Sequence, residues 1–229
     1  MDFKKLFTDG FSTRNGDIRP PSSFSSACQQ TAVIFQCQSQ VQFGGVGTIH
    51  LDYDLAPFVK KSFKKHIKNY FTDVCNYDEQ ITEKMIIDFE NLYGEINLNN
   101  EELKVVSEFV NAYNFAIKQL EREGTQAGEA MYHNLNTLES RAGSQVPFTS
   151  INFGRDISAE GKFVSRKMLE SSLSGIGKHH LTPIFPISIF QYKQGCNANP
   201  EDPNYDLKQL ALESLSKRIY PNFVNCDYS

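Results

Sequence analysis

The pattern of apolar residues changes period near Gly143, and that change limits the chain to folds that join a helical layer to a sheet. Before it, apolar residues recur at helical spacing. In LDYDLAPFVKKSFKKHIKNYF, Leu55, Val59, Phe63, Ile67 and Tyr70 share one face while Lys60, Lys61, Lys64, Lys65 and Lys68 occupy others. Beyond Gly143 come short β-rich runs, QVPFTSINFG, LTPIFPISIF and RIYPNFVNC, separated by helical patterns at 161–173 and 205–216. Strands alternating with helices predict parallel α/β structure. Three such strands leave open edges that a stable parallel sheet normally covers, so the sheet reads as incomplete.

Further helices are expected in the first half. Pro20 and Pro21 followed by Ser22, Ser23 and Ser25 form a start signal, because proline fits a first turn and a serine hydroxyl can cap free amides. From there Cys28, Ala32, Ile34, Phe35, Cys37 and Val41 keep helical spacing, although Gln36, Gln38, Gln40 and Gln42 alternate as a strand would. The helix is the preferred reading, with Gly44, Gly45 and Gly47 as its stop. Helices are also expected over 78–93 and 101–123, the second capped near Asn99 or Asn100 and ending at Gly124.

Composition narrows the function classes. With 18 Phe and 10 Tyr the chain can build a real core. A net charge of −4 argues against a protein that works mainly by binding nucleic acid through an overall positive field, so any phosphate site has to be local. No apolar run approaches the ~18 residues of a membrane helix, and MDFKKLFTDG lacks the core of a secretion signal, which together point to a cytoplasmic protein. Five scattered cysteines, Cys28, Cys37, Cys75, Cys196 and Cys226, contain no C-x-x-C pair and read as reduced thiols.

Individual motifs are weak. The lysines and His66 of 60–68 suit a triphosphate, but taken alone a solvated face is the favoured explanation. FGGVG has no Walker lysine and no strand-to-helix setting, so it is expected only to terminate a helix. His179 and His180 are adjacent and read as loop residues rather than metal ligands. Asp202, Asn204 and Asp206 hint at a calcium loop, yet Pro203 interrupts it and the glycine and distal glutamate are missing, so a helix-capping turn by Asp202 or Asn204 is expected. From the residues alone, the chain is an α/β piece with a phosphate-friendly face.

Several stretches together resemble the anaerobic (class III) ribonucleoside-triphosphate reductase large chain: LFTDGFSTRNGDIRPPSS, the Gly44–Gly45 turn with LDYDLAPFVKKSFKK, HNLNTLESRAGSQVPFTSINFGRD, TPIFPISIFQYKQG and DPNYDLKQLALESLSKRIYPNF. Their order and separations match the family over nearly the whole chain, and SRAGSQVPFTSINFG and DPNYDLKQLA favour the reductase branch over other glycyl-radical enzymes. The resemblance implies part of a ten-stranded α/β barrel. Residues 1–142 would supply helices for a dimer interface and an effector site, and 143–229 strands and helices of the barrel.

Lys65 is the implied contact for effector phosphate, with Arg19 and Ser22 beside the same nucleotide. Loops near 154–161 and 195–204, containing Gly154, Gly161, Gly195 and Asn204, are the implied link between effector and substrate pocket. The same resemblance implies that the chain is an internal segment lacking the catalytic cysteines, the radical glycine and the C-terminal zinc site, with no catalytic residue, metal or cofactor of its own. Its implied partners are a twin in a homodimer or complementing reductase fragments, dNTP or ATP effectors, nucleoside triphosphate substrates, formate as reductant, and an S-adenosylmethionine iron–sulfur activase; nucleic acid and membrane are not among them. A non-catalytic nucleotide-binding and dimerisation module is the competing expectation. In either case the isolated chain is expected to be marginally stable or to associate, because barrel strands would expose apolar faces.

Overall fold

The computed structural model describes residues 3–13, 16–42, 44–141 and 143–228. It begins with α1 (Phe3–Asp9) and an antiparallel pair, β1 (Phe11–Thr13) and β2 (Gly16–Ile18), followed by α2 (Phe24–Val41). The helical reading of 22–41 is correct. Ser23 is the N-cap, its hydroxyl accepting from the Ser26 N–H while the Ser26 hydroxyl accepts from the Ser23 N–H.

After α2 come β3 (Val46–Thr48), α3 (Leu51–Asn69), a π-helical turn (Tyr70–Val74) and α4 (Glu79–Tyr93). Asp78 caps α4, its carboxylate accepting from the Gln80 and Ile81 amides. The glycine run therefore lies on a helix-to-strand-to-helix path: Gly47 is inside β3, and β3 leads straight into α3. The expectation that FGGVG merely terminates a helix is corrected accordingly. Three residues with a central glycine carry too little alternation to be read as a strand.

The segment expected to be helical over 101–123 divides into a 3-10 turn (Glu101–Lys104) and α5 (Val110–Thr137), which runs past Gly124 for more than three further turns. Gly124 and Gly128 are buried where α5 crosses α6 (Ala159–Ser174). A Cβ on Gly124 would come within 2.6 Å of Phe163 Cζ, and one on Gly128 within 2.2 Å of Ser171 Oγ. Close backbone approach, not helix termination, explains both glycines.

The second half supplies β4 (Thr149–Phe153), β5 (Ile187–Tyr192), α7 (Tyr205–Arg218) and β6 (Asn222–Asn225). Among the described residues the fold is thus α/β, with seven α-helices and a parallel four-stranded sheet in the order β3-β4-β5-β6. Pairing of Ile151 with Ser188 and of Phe153 with Phe190 fixes the register. It turns Val46, Thr48, Thr149, Ile151, Phe153, Ser188 and Phe190 to one face, where all are buried against helices. Gly47, Ser150, Asn152, Ile187, Ile189, Gln191, Asn222 and Val224 share the opposite face, where Gln191 is buried and donates to the Ile49 carbonyl. One core, from Phe3 through Leu51, Phe63, Leu120 and Met131 to Phe190 and Leu207, joins the helices to the sheet. No described helix is long and apolar enough to cross a membrane.

Candidate functional site at the two ends of helix α3

Helix α3 forms because Leu51, Leu55, Phe58, Val59, Phe63 and Ile67 recur on one stripe, and all are buried. Asp52 and Ser62 interrupt that stripe and are equally buried. These two polar residues organise the structure at opposite ends of the helix.

Toward the C-terminal end, the lysine run is not one uniform positive face. Lys60 pairs with Glu95, Lys64 with Glu90, and Lys68 with both Glu79 and Glu83, so α4 and the segment after it lie along these three lysines. Lys61 stands over the Phe58 ring at 4.9 Å. Lys65 remains exposed and forms no ion pair or hydrogen bond among the described residues. It lines a cavity of about 330 Å³ with Ser23, Ser25, His66, Gln119, Arg122, Glu123 and Gln126. Arg122, on α5, is likewise exposed and without a partner among the described residues.

Glu123 is the fixed point of that cavity. Its Oε1 accepts from the Ser25 amide and the Ser62 hydroxyl, both at 2.9 Å, and its Oε2 lies 2.8 Å from His66 Nε2. One carboxylate so ties α2, α3 and α5 together, and it sits where the free amides of the α2 N-terminus favour negative charge. Burial pushes its pKa up, but His66, the Ser25 amide and the Ser62 hydroxyl outweigh that and hold it below the ordinary glutamate value.

Of the residues expected at an effector site, Lys65 lines this cavity, and Ser22 immediately precedes its Ser23 wall. Arg19 is exposed, and its carbonyl accepts from Gln30 Nε2. The next residue, Pro20, borders a different cavity of about 570 Å³ with Lys4, Phe58 and Lys61. Sequence reasoning missed Arg122 and Glu123, which fall in an ordinary charged stretch of α5.

At the N-terminal end, Asp52 is fully buried. Its Oδ2 accepts from three consecutive backbone amides, Gly154, Arg155 and Asp156, each at 2.9 Å, and its Oδ1 accepts from the Tyr53 amide at 3.1 Å. Three successive N–H groups converging on one oxygen make a backbone nest, a recurrent anion cradle. Burial raises the Asp52 pKa, opposed by those same amides. Gly154 makes the turn possible with φ +112, and a Cβ there would press to 2.7 Å from Phe190 Cε2.

The two loops expected to act together are joined here. Asn204 Nδ2 donates to the Asp156 carbonyl at 2.9 Å and to the Gly154 carbonyl at 3.3 Å, while Asn197 Nδ2 donates to the Gly154 and Gln191 carbonyls at 2.9 Å. Asn204 is the N-cap of α7 by position, but its side chain makes no capping bond and serves the neighbouring loop instead. Gly161 lies in the first turn of α6, where a Cβ would meet the Asp156 carboxyl at 2.1 Å, and Gly195 turns with φ +71. The cluster lies beyond the carboxyl ends of β4 and β5, the usual ligand side of a parallel sheet.

The remaining polar motifs have other work. Asp202 accepts from the Asn199 amide, and Asp206 pairs with Lys162 and Arg166. His179 and His180 are exposed after α6. All five cysteines are free thiols, and the described residues contain no group of three or more His, Cys, Asp or Glu placed to hold a metal ion.

Comparison with known proteins decides what this arrangement belongs to. The family model described as anaerobic ribonucleoside-triphosphate reductase matches residues 1–229. The chain belongs to that family. It is 32% identical over 228 residues to the anaerobic ribonucleoside-triphosphate reductase of Haemophilus influenzae, and 33% identical over 228 residues to that of Salmonella typhimurium. With the enzyme of Enterobacteria phage T4 it shares 31% identity over 232 residues. The matches cover 99% of this chain for the two bacterial reductases and 98% for the phage one. They cover 27% of each bacterial reductase and 31% of the phage reductase, so the chain spans less than a third of these relatives' length.

Proposed function

We propose that this chain is the part of an anaerobic ribonucleoside-triphosphate reductase that holds an effector nucleotide beside α3 and contributes four neighbouring strands to the catalytic barrel. The observation that carries the reading is the cavity in which Lys65 and Arg122, two cations without partners among the described residues, face the capped start of α2. Such a lining suits a polyphosphate, since charge-assisted N–H donors are the strong ligands of phosphate oxygens. Residues 1–142 would form the dimer-facing, effector-binding part and 143–229 the strand-and-helix part. Support for the barrel comes from topology: strand order equals chain order, with no reversal, and the buried apolar side chains of the sheet share one face. A doubly wound sheet would reverse its order.

In the assembled enzyme the chemistry would be reduction of ribonucleoside triphosphates to deoxyribonucleotides by a thiyl radical generated from a glycyl radical. Its reactive thiols, radical glycine and zinc ligands would lie outside the 229 residues of this chain. Formate would serve as reductant and an S-adenosylmethionine iron–sulfur enzyme as activase. Mixing the chain with polypeptides that cover the rest of the reductase, together with the activase, is expected to yield reductase activity; correct assembly without activity would overturn the catalytic reading.

The same cavity also favours a second reading, a nucleotide-binding and dimerising module with no catalysis of its own. Calorimetry with dATP, dGTP, dTTP and ATP tests the site common to both. Binding is expected to weaken about tenfold in Lys65→Ala, the loss of one charge-assisted phosphate contact. No binding by the unaltered chain, or equal binding by the variant, would remove the effector assignment.

A further inference from the structure

We propose that Asn152 and Gln191 are substrate-binding residues: on the sheet face opposite the buried apolar one, their carboxamides hold the ribose of a nucleoside triphosphate through its hydroxyl groups. The inference rests on the catalytic reading above and names the side chains that would meet the sugar.

A parallel sheet is ordinarily apolar on both faces. Here only the face of Ile151, Phe153 and Phe190 is built that way. The opposite face sets Ser150 and Asn152 of β4, Gln191 of β5 and Asn222 of β6 among the aliphatic side chains of β5 and β6. Such a mixture is a poor packing surface and a suitable lining for a small polar molecule, which is oriented by a few polar groups placed between apolar ones. No charged residue lies within β3, β4, β5 or β6. The lining therefore fits an uncharged polyol rather than phosphate, whose strong ligands are charge-assisted donors. The first cations, Arg155 and Lys193, come just past the carboxyl ends of β4 and β5, the side on which parallel sheets bind their ligands.

Gln191 supplies a second observation, independent of composition. The residue is 5% exposed, and its Nε2 donates to the Ile49 carbonyl at 3.1 Å across the end of β4, the strand between them. Its Oε1 is buried and receives no hydrogen bond among the described residues. A dry, unpaired carboxamide oxygen costs stability, so its retention calls for a donor from outside the chain. Asn152 pairs with Ile189, two residues before Gln191, which makes the two carboxamides diagonal neighbours on one face. The Asn152 amide is itself without a hydrogen bond among the described residues. Between them the pair offers acceptor and donor, the complement of a hydroxyl, which both gives and takes a hydrogen bond. An analogue whose hydroxyl is turned away leaves the carboxamides unpaired and is rejected for that reason.

Competition tests this in the reductase assembled from the chain, polypeptides covering the remainder and the activase, with effector held at saturation. A ribonucleoside triphosphate is expected to bind at least about tenfold more tightly than its arabino isomer, whose 2′-hydroxyl points to the other face of the sugar. Asn152→Ala and Gln191→Met are each expected to raise the ribonucleotide KM about tenfold and to reduce that preference to about twofold or less. A residue that only supported the sheet would weaken both ligands alike and leave their ratio unchanged. Should Gln191→Met not assemble, Asn152→Ala, whose side chain bonds to none of the described residues, decides. Reductase activity with an unaltered ratio in the assembled variants overturns the inference, assigns the Gln191 oxygen to a protein donor in the rest of the barrel, and leaves the catalytic reading intact. Correct assembly of the unaltered protein without activity overturns both.

Discussion

The two ends of helix α3 solve the same problem, attaching a helix to its neighbours, with opposite physics. At the N-terminal end a single buried carboxylate satisfies three backbone amides and exchanges nothing with solvent. At the other end Lys60 and Lys68 reach glutamates that stay largely in water, with the Glu79 and Glu95 side chains 72% and 68% exposed, and only Lys64 has a mostly covered partner, Glu90. Water competes for the second kind of contact and not for the first. One end is therefore fixed by a buried contact, while the other rests on water-exposed pairs and leaves Lys65 without an ion pair among the described residues. Glu123 stands between these extremes, 16% exposed and shared by three helices.

Substitutions can break this contrast in graded steps. Asp52→Ala leaves three buried amides unpaired and is expected to destabilise the fold by about 3 kcal/mol or more in chemical denaturation; a loss under about 1 kcal/mol would mean that the nest is not a fixed part of the fold. Glu123→Gln keeps the shape but removes the charge, with an expected cost of about 1 kcal/mol at neutral pH. Its sign with pH follows from the direction of the shift. Because the folded-state pKa of Glu123 lies below the ordinary 4.5, its contribution is present above that value and is lost as pH falls through the depressed one. The stability gap between parent and Glu123→Gln should accordingly shrink on acidification below pH 4.5, and a gap that widens would reverse the assignment. Lys68→Ala, at the exposed end, is expected to shift the denaturation midpoint little, and any shift should shrink further in high salt. Lys65→Ala should leave the denaturation midpoint unchanged within about 0.5 kcal/mol, its effect being confined to nucleotide binding.

How much of this was legible depended on whether a feature is local. The starts of α2 and α4 were readable because Ser23 and Asp78 act on amides only two or three residues away. β3 was not, since a three-residue Val-Gly-Thr strand is defined by its pairing to β4 across about 100 positions of chain. Asn204 shows the same divide: its place at the start of α7 follows from the turn, but the use of its amide for the Gly154 and Asp156 carbonyls is a tertiary fact. Asp52 did leave a trace, as an acidic residue on the apolar stripe of a helix, where burial without a partner is costly. Its partners, being backbone amides, left none. Of the expected effector residues, Lys65 was named through the resemblance and its basic helix, whereas its place in a cavity that Arg19 does not line follows from the packing of α2, α3 and α5.

The contact between α5 and α6 carries a lesson about how such a protein can drift. At Gly124 and Gly128, α5 offers bare backbone to Phe163, Lys167 and Ser171 of α6, while Glu121 and Thr125 of α5 flank that contact and bond the Lys167 ammonium. Bulk gained at either glycine thus has to be given up by the α6 side chain opposite it, Phe163 for Gly124 and Ser171 for Gly128.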